Sequence, residues 1–353
     1  MTKQRYDAQA LREFSQALLQ AAGMDAPAAE AVADTLVEGD LLGHDTHGLA
    51  LLAPYIKEIE TKSMEVSGTA KTLSDRGAAL LWDGRRLPGP WLIRQGIDTL
   101  TSRAREFGTA TLVIRRSHHI ACLAAYLPRV AESGLLITLA SSDPAGASVA
   151  PYGGTRAVFT PNPIAMGIPT SGTPFVVDIS SSIVTNGMCA RLQKAGEQFP
   201  DECLLDADGR PSRDPNVFAT DPPGTIMPLG GTTAGHKGFG MALMVEALTG
   251  GLAGHGRTAP SEGWGATVFL SLHDPQAFGG LGPFTQQTDH IGQACRNNPP
   301  RAGGSPVRMP GDRGLALRAD QLEDGLALHP TIPTMLAQCG STYGLAFPRA
   351  LDS

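Results

Sequence analysis

The fold is decided by residues 109–140, which read TATLVIRRSHHIACLAAYLPRVAESGLLITLA. Residues 109–114 are largely β-branched and apolar, which is typical of a buried strand. Residues 120–132 have helical spacing, and residues 135–140 predict a second buried strand. This β-α-β pattern predicts an α/β fold. The loop after the first strand contains His118 and His119, at the strand end where open α/β sheets place ligands.

A helical region precedes this pattern. From residue 7 to about residue 59, apolar side chains recur at intervals of three and four, as in amphipathic helices. Gly43 marks the end of the second helix, which leaves Asp45 or Thr46 as the expected cap of a third. We therefore expect residues 1–75 to form an N-terminal helical part.

The second half of the chain is rich in glycine and proline. Residues 175–178 and 267–272 predict strands, and residues 238–252 predict a helix. Residues 196–230 contain turn signals and are expected to form a long irregular loop, which is often functional. Residues 279–304 are another region rich in Gly, Pro and Gln.

The composition limits the class of partner. The chain has 353 residues, 42% hydrophobic and 18% charged, with a net charge of -6. This size permits a large core in two or three domains. The negative charge and the absence of Lys/Arg runs argue against nucleic acid or an anionic membrane surface, so a small-molecule substrate is expected. No secretory signal is recognisable, which favours a cytoplasmic protein with five ordinary reduced cysteines.

His47 is the main chemical feature, within Gly43-His44-Asp45-Thr46-His47-Gly48-Leu49. An imidazole titrates near neutral pH, so a histidine fixed by Asp45 or Thr46 could pass a proton to a substrate. Gly43 and Gly48 permit close approach of a backbone or a ligand. The plainer alternative is a histidine that bonds a backbone carbonyl at a helix start.

Motifs for phosphate-containing cofactors are weak. The near match to G-x-G-x-x-G begins at Gly254 and follows a helix instead of a strand, so we reject it. His236 and Lys237 lie in a glycine-rich segment before a helix, where a lysine and backbone amides could face an anion. A solvated lysine in a glycine-rich turn is the alternative.

A metal-dependent hydrolase is a second interpretation of the histidines. His44 and His47 are three residues apart, and His119 could complete a site with them. Adjacent histidines on an extended segment diverge, however, and no H-E-x-x-H motif is present. We therefore expect no metal site.

Short segments in a specific order resemble the type 2 malate/lactate dehydrogenase family, or sulfolactate dehydrogenase-like group. This group includes ureidoglycolate dehydrogenases and cyclic imino acid reductases such as Δ1-piperideine-2-carboxylate reductase. The resemblance covers nearly the whole chain. The segments are 45–49 with Tyr55, 116–119, 141–144, 149–154, 162–165, 177–180, 206–209, 228–231, 236–240 and 310–311.

This resemblance implies hydride transfer with NADH or NADPH on a non-Rossmann NAD(P)-binding fold. It also implies a homodimer whose helical part comes from both chain ends. We therefore expect residues 310–353 to join residues 1–75 in space. Residues 76–309 would form the central α/β region, with the NAD(P)-binding subdomain at roughly 120–195.

The family pattern also implies roles for individual residues. His47 corresponds to the proton donor, Thr46 to the residue that orients it, and His119 to a second active-site histidine. The implied substrate-binding positions are Leu51, Tyr55, Thr160 and Met188. The implied cofactor-binding positions are Ser142, Asp178, Ile179, Ser180, His236, Lys237, Pro310 and Gly311.

Two positions depart from the family pattern. Leu51 stands where relatives commonly carry an arginine that grips the substrate carboxylate, and Met188 stands where a lysine or another charged residue is usual. Losing a charge-assisted hydrogen bond costs about 1.5–3 kcal/mol unless Arg116 or Lys237 substitutes. The sequence thus predicts an oxidoreductase for a 2-oxo acid, 2-hydroxy acid or cyclic imine, with a substrate larger or less anionic than usual. A binding homologue that has lost catalysis is a further alternative.

Overall fold

The structure is a computed structural model that describes residues 4–258 and 263–351. Its strands are β1 (Arg5–Tyr6), β2 (Lys71–Asp75), β3 (Ala79–Asp83), β4 (Thr109–Ser117), β5 (Leu136–Ser142), β6 (Ile164–Ile168), β7 (Phe175–Ile179), β8 (Leu204–Leu205), β9 (Pro211–Ser212), β10 (Thr225–Ile226), β11 (Ala266–His273) and β12 (Leu326–Ala327). Its helices are α1 (Ala8–Ala21), α2 (Ala26–Leu41), α3 (Leu52–Glu60), α4 (Gly89–Phe107), α5 (Leu127–Glu132), α6 (Asn186–Ala195), α7 (Gly231–Glu246), α8 (Leu281–Arg296), α9 (Asp312–Asp324) and α10 (Thr331–Thr342).

A seven-stranded mixed sheet forms the centre, in the order β2-β3-β4-β11-β5-β6-β7. Only β3 and β4 run parallel among these described neighbours. Strands β4 and β5 were predicted as a β-α-β unit, but β11 lies between them and pairs antiparallel with both. The α/β class therefore follows from the local pattern, whereas the strand order depends on a segment more than 120 residues further along the chain.

The helix between β4 and β5 begins later than the sequence predicts. Residues 123–126 form a 3₁₀ turn, and the α-helix starts at Leu127. Pro128 lies in its first turn, where a missing N–H is tolerated, whereas a helix starting at residue 120 would place it in the interior. The extended stretch before the turn is what brings His119 to the sheet edge.

The expected cap at Asp45 or Thr46 is wrong. Residues 44–48 are a turn, Gly48 precedes a 3₁₀ helix at Leu49–Leu51, and α3 begins only at Leu52. The backbone N–H of Leu49 donates instead to the buried carboxylate of Asp40, at the end of α2. The cap therefore comes from the preceding helix, and Asp45 and Thr46 are left for other contacts.

Two regions with turn-forming composition contain regular structure. Residues 196–230 include a small three-stranded sheet in the order β10-β8-β9. Residues 279–304 include the four-turn helix α8, in which Pro283 falls within the first turn and is tolerated there. Gly292 of α8 packs closely on the ring of Phe175, so its missing side chain permits this contact. Composition alone did not predict that tertiary contact.

The two chain ends share a hydrophobic core. Leu11, Leu18 and Leu36 of α1 and α2 pack in one cluster with Ile332 and Leu336 of α10. The side chain of Gln321 in α9 donates to the backbone carbonyls of Asp40 and Leu41 at the end of α2. A second core fills the space between the sheet and helix α4. No helix in the described part of the chain is long and apolar enough to cross a membrane.

Candidate active site

A cavity of about 550 Å³ lies where the loop after α2 meets the sheet. Its walls include His47 from that loop and His119 from the stretch after β4. Asp178 at the end of β7 and Met188 in the first turns of α6 form other parts of the wall. The site thus lies at strand ends, as expected for an α/β sheet.

The loop that carries His47 is held by Asp40. The Asp40 carboxylate accepts the Leu49 N–H at 2.6 Å, and a Cβ at Gly48 would overlap that carboxylate. Gly43 has a φ of +84° and packs against Leu317 of α9. Both glycines therefore permit close packing of protein side chains here, and Gly43 also lines the cavity.

His47 is tied to its neighbour and is neutral at pH 7. The Thr46 hydroxyl lies 2.9 Å from His47 Nδ1, so proton exchange with a ligand falls to Nε2. Burial, together with the nearby His44, lowers the pKa of His47 to about 4, although Asp45 opposes the shift. A neutral imidazole is a proton acceptor, and it becomes a donor only when a bound group raises its pKa.

His119 lies beside His47 in a stack of rings. The His47 and His119 ring centroids are 6.0 Å apart, and Trp264 stacks on His119 at 4.5 Å. The Tyr55 hydroxyl lies 2.8 Å from His119 Nδ1, and the Ala121 N–H donates to the same nitrogen. These contacts fit a neutral ring that carries its proton on Nε2. Burial, followed by His47 and His118, lowers the pKa of His119 well below its usual value.

The backbone behind the histidine pair has no free space. His118 is fully buried, and its Nε2 lies 3.2 Å from a Glu58 carboxylate oxygen. Gly89, the first residue of α4, faces the carbonyl groups of His118 and His119, and a Cβ there would overlap both. Glycine at this position therefore fixes where His119 lies.

The potential metal ligands that lie together differ from the histidine set considered above as an alternative. Within residues 4–258 and 263–351, the group of potential ligands that comes together is His44, Cys122 and Asp178, with ligand atoms within 4.8 Å of one another. His44 lowers the pKa of Asp178, although burial raises that pKa overall. Among the described residues, His44 is therefore grouped with Asp178 and Cys122 and not with His47 and His119.

Thr160 reaches the cavity from a buried hydrogen-bond network. Its hydroxyl donates to Asn162 at 2.8 Å, and the Asn162 amide donates to Glu246 at 2.8 Å. Arg257 and Ser142 also donate to Glu246, each at 2.8 Å. Asn162 has a φ of +42°, a left-handed conformation that this network supports. The network fixes Thr160 and holds the Ser142 hydroxyl within the protein.

Comparison with known proteins shows which family this chain belongs to. The sequence pattern described as malate/L-lactate dehydrogenase matches residues 6–337. The chain belongs to the malate/L-lactate dehydrogenase family. An L-lactate dehydrogenase from Cupriavidus necator is 30% identical over 346 residues, which cover 96% of this chain and 98% of that protein.

Two further relatives agree. A (2R)-3-sulfolactate dehydrogenase (NADP(+)) from Chromohalobacter salexigens is 32% identical over 316 residues, 87% of this chain and 90% of that protein. The solved sulfolactate dehydrogenase from Methanocaldococcus jannaschii has a TM-score of 0.85 at 21% identity, with 97% of this chain and 98% of that chain covered. The predicted sulfolactate dehydrogenase-like α/β fold is confirmed.

Family membership confirms that the protein is a dehydrogenase or reductase with NADH or NADPH as cofactor. The donor set at the cavity fits such a cofactor. Asp178 accepts the Ala124 N–H at 2.9 Å, and Ser180 and Thr185 line the same wall. Carboxylate, hydroxyl and backbone groups are those that bond ribose hydroxyls and a carboxamide.

The structure brings about half of the predicted site residues to one cavity. The residues that line it are Thr46, His47, Leu51, His119, Thr160, Met188, Asp178 and Ser180. Tyr55 lies directly behind, through its bond to His119.

Six of the predicted cofactor-binding residues lie outside the cavity. Ser142 is held in the Glu246 network, and Ile179 is exposed. His236 contacts the Tyr152 ring, and Lys237 lies exposed on α7. The Pro310 carbonyl accepts the Val176 N–H, and Gly311 packs on Val176. Their role in binding the cofactor stays a prediction.

Several residues of the site were not predicted. Trp264, Arg191, Asp40 and Gly89 line or support the cavity. Arg191 alone had a usable signal, because it follows Met188 by three residues, a spacing that places two side chains on one face of a helix. Asp40, Gly89 and Trp264 act through contacts with residues far away in sequence, which no local pattern indicates.

The contact at Gly89 gives a test of how His119 is positioned. We expect Gly89→Ala to lower kcat/KM by roughly tenfold to a hundredfold, because a displacement of about 1 Å at a reacting group costs that much. Gly282→Ala is the control, since a Cβ at this first-turn glycine of α8 meets nothing within 4 Å. Steady-state kinetics of the two folded variants measures the effect, and equal rates would show that Gly89 does not position His119.

Proposed function

We propose that the protein is an NAD(P)H-dependent reductase of 2-oxo acids that also oxidises the matching 2-hydroxy acids. The observation that carries this proposal is the pair of neutral rings, His47 and His119, on one cavity wall. The names of the relatives, an L-lactate and a sulfolactate dehydrogenase, support 2-hydroxy acids as the substrate class. Cyclic imino acids remain the alternative within the family resemblance.

When bound, the cofactor supplies or accepts the hydride at the substrate carbon. His119 donates a hydrogen bond from Nε2 to the substrate oxygen, and Tyr55 fixes the ring that does so. His47 gives a proton from Nε2 to that oxygen during reduction and removes it during oxidation, while Thr46 fixes its orientation. Trp264 covers the face of His119 and helps to exclude water.

Asp178 and Ser180 are the residues that we propose hold the nicotinamide end of the cofactor, because they lie on the cavity wall. The cavity of about 550 Å³ suits that end together with a small substrate. The shared core of the two chain ends supports the proposed grouping of residues 1–75 with residues 310–353. All five cysteines are free, which supports a cytoplasmic location.

We also propose a homodimer. Leu243 and Met244 of α7, with Leu252 just beyond it, expose large apolar side chains on one continuous helical segment. Such surfaces commonly mark protein interfaces.

Light scattering should give twice the chain mass for the wild type and a lower mass for Met244→Glu. Leu322→Glu on α9 is the control, and a monomeric wild type would contradict the proposal.

The proposed role of His47 predicts that its substitution lowers turnover without weakening cofactor binding. His47→Gln should lower kcat by about a hundredfold or more, because the proton donor is absent, while the Kd of NADH or NADPH changes little. Cofactor fluorescence measures Kd, and a panel of pyruvate, oxaloacetate, phenylpyruvate and Δ1-piperideine-2-carboxylate measures turnover. A variant with wild-type rates would contradict the role. A wild type that binds cofactor and turns over no member of the panel would support the lapsed binding homologue instead.

The low pKa of His47 predicts the pH dependence. Since kcat/KM reports the free enzyme, reduction needs the protonated form of a group whose pKa is about 4. The kcat/KM of reduction should therefore fall by about tenfold per unit as pH rises through neutrality. Oxidation needs neutral His47, so its kcat/KM should stay constant above that pKa. A kcat/KM of reduction that is constant from about pH 5 to about pH 7 would contradict the role of His47 as the proton donor.

A further inference from the structure

One strongly basic side chain faces the cavity. Among the described residues that line it, Arg191 is the only arginine or lysine. Arg191 lies in α6, three residues after Met188, so the two side chains share a helix face. The cavity therefore has a cation one helical turn from Met188, where the family resemblance implies a charged residue.

The two cations considered from the sequence lie elsewhere. Arg116 forms an ion pair with Asp83 at 3.1 Å, and Lys237 is exposed on α7; neither lines the cavity. Arg257 is held by Glu246 at 2.8 Å. None of the three is available to an anion bound beside His47.

Arg191 lies against the loop that carries His47. Its Nη1 is 2.9 Å from a carboxylate oxygen of Asp45, two residues before His47. A Cβ at Gly187 would lie 3.2 Å from the Thr46 Cβ, so the first turn of α6 packs on the same loop. The guanidinium and the proton-transferring imidazole thus belong to one wall of the cavity.

The ion pair between Asp45 and Arg191 is weak enough for another carboxylate to replace Asp45. Both side chains are more than one-third exposed, at 34% and 39%, and such ion pairs contribute little to stability. A guanidinium binds carboxylates with two parallel hydrogen bonds, so an incoming carboxylate can replace Asp45. Asp45, Asp143 and Asp178 also line the cavity, and an anionic ligand has no other strong cation there among the described residues.

We propose that Arg191 binds the substrate carboxylate and determines the preference for 2-oxo acids. It takes over the function of the arginine that Leu51 replaces. This inference rests on the proposed function. Asp45, the ion-pair partner of Arg191, lies in the loop that carries His47. Asp178 and Ser180, which we propose hold the cofactor, lie at the end of β7. This separation favours the substrate over a cofactor phosphate as the anion that Arg191 binds.

The experiment compares Arg191→Gln, Arg191→Lys and the control Arg210→Gln, which alters an exposed pair with Asp208. Substrates are pyruvate, oxaloacetate and phenylpyruvate, each with saturating NADH or NADPH. We expect Arg191→Gln to raise KM by about tenfold to about a hundredfold, with a smaller change in kcat. Arg191→Lys should lie between it and the wild type, because it keeps the charge and loses the bidentate geometry. The control should match the wild type.

Other results overturn the inference in distinguishable ways. Unchanged KM values in Arg191→Gln, with normal turnover, would refute the carboxylate contact and leave the proposed function intact. A raised Kd for NADH or NADPH with unchanged KM for the oxo acids would assign Arg191 to a cofactor phosphate. A wild type that turns over none of the substrates would refute the proposed function, and this inference with it.

Discussion

The hydrogen bond between the Asp40 carboxylate and the Leu49 N–H fixes the loop that carries His47, and the other contacts of the cavity depend on that loop. It joins the last turn of α2 to the start of the 3₁₀ turn before α3 and fixes the path of the loop between them. Gly48 leaves the space that the carboxylate occupies. His47 and Tyr55 are thereby held on opposite sides of one turn, and both face His119. A buried carboxylate that is hydrogen-bonded is stable, whereas an unpaired one is costly, so this junction tolerates little change.

The α/β class was predictable because it depends on local patterns, whereas the oxidoreductase class was predicted from the family resemblance along nearly the whole chain. The β-branched run of β4 and the His47 cluster each carry their signal within a few residues. The position of β11 between β4 and β5, the helix α8 and the cap from Asp40 were not predictable, because each depends on a distant partner. The same holds for the cavity: Thr46, His47, His119 and Thr160 converge there, while Trp264 lies 145 residues beyond His119 in the sequence.

Burial keeps the two histidines of the site uncharged, and this affects their reactivity. Desolvation makes His47 and His119 neutral, which suits a base and a hydrogen-bond donor but not a proton donor. A substrate carboxylate that replaces Asp45 beside Arg191 would bring a negative charge close to His47 and raise its pKa. Substrate binding and protonation of His47 are then two parts of one event. This coupling would let His47, the proposed proton donor, act as an acid at neutral pH despite its low pKa in the free protein.

The most direct test of this account is the number of protons taken up on binding. Oxamate, an unreactive isostere of a 2-oxo acid, is titrated into the enzyme–NADH complex at about pH 7 in buffers of different ionisation enthalpy. Isothermal calorimetry then gives the protons bound per site. The account predicts an uptake approaching one proton in the wild type and close to none in His47→Gln. Binding of oxamate to the wild type with no proton uptake would contradict it.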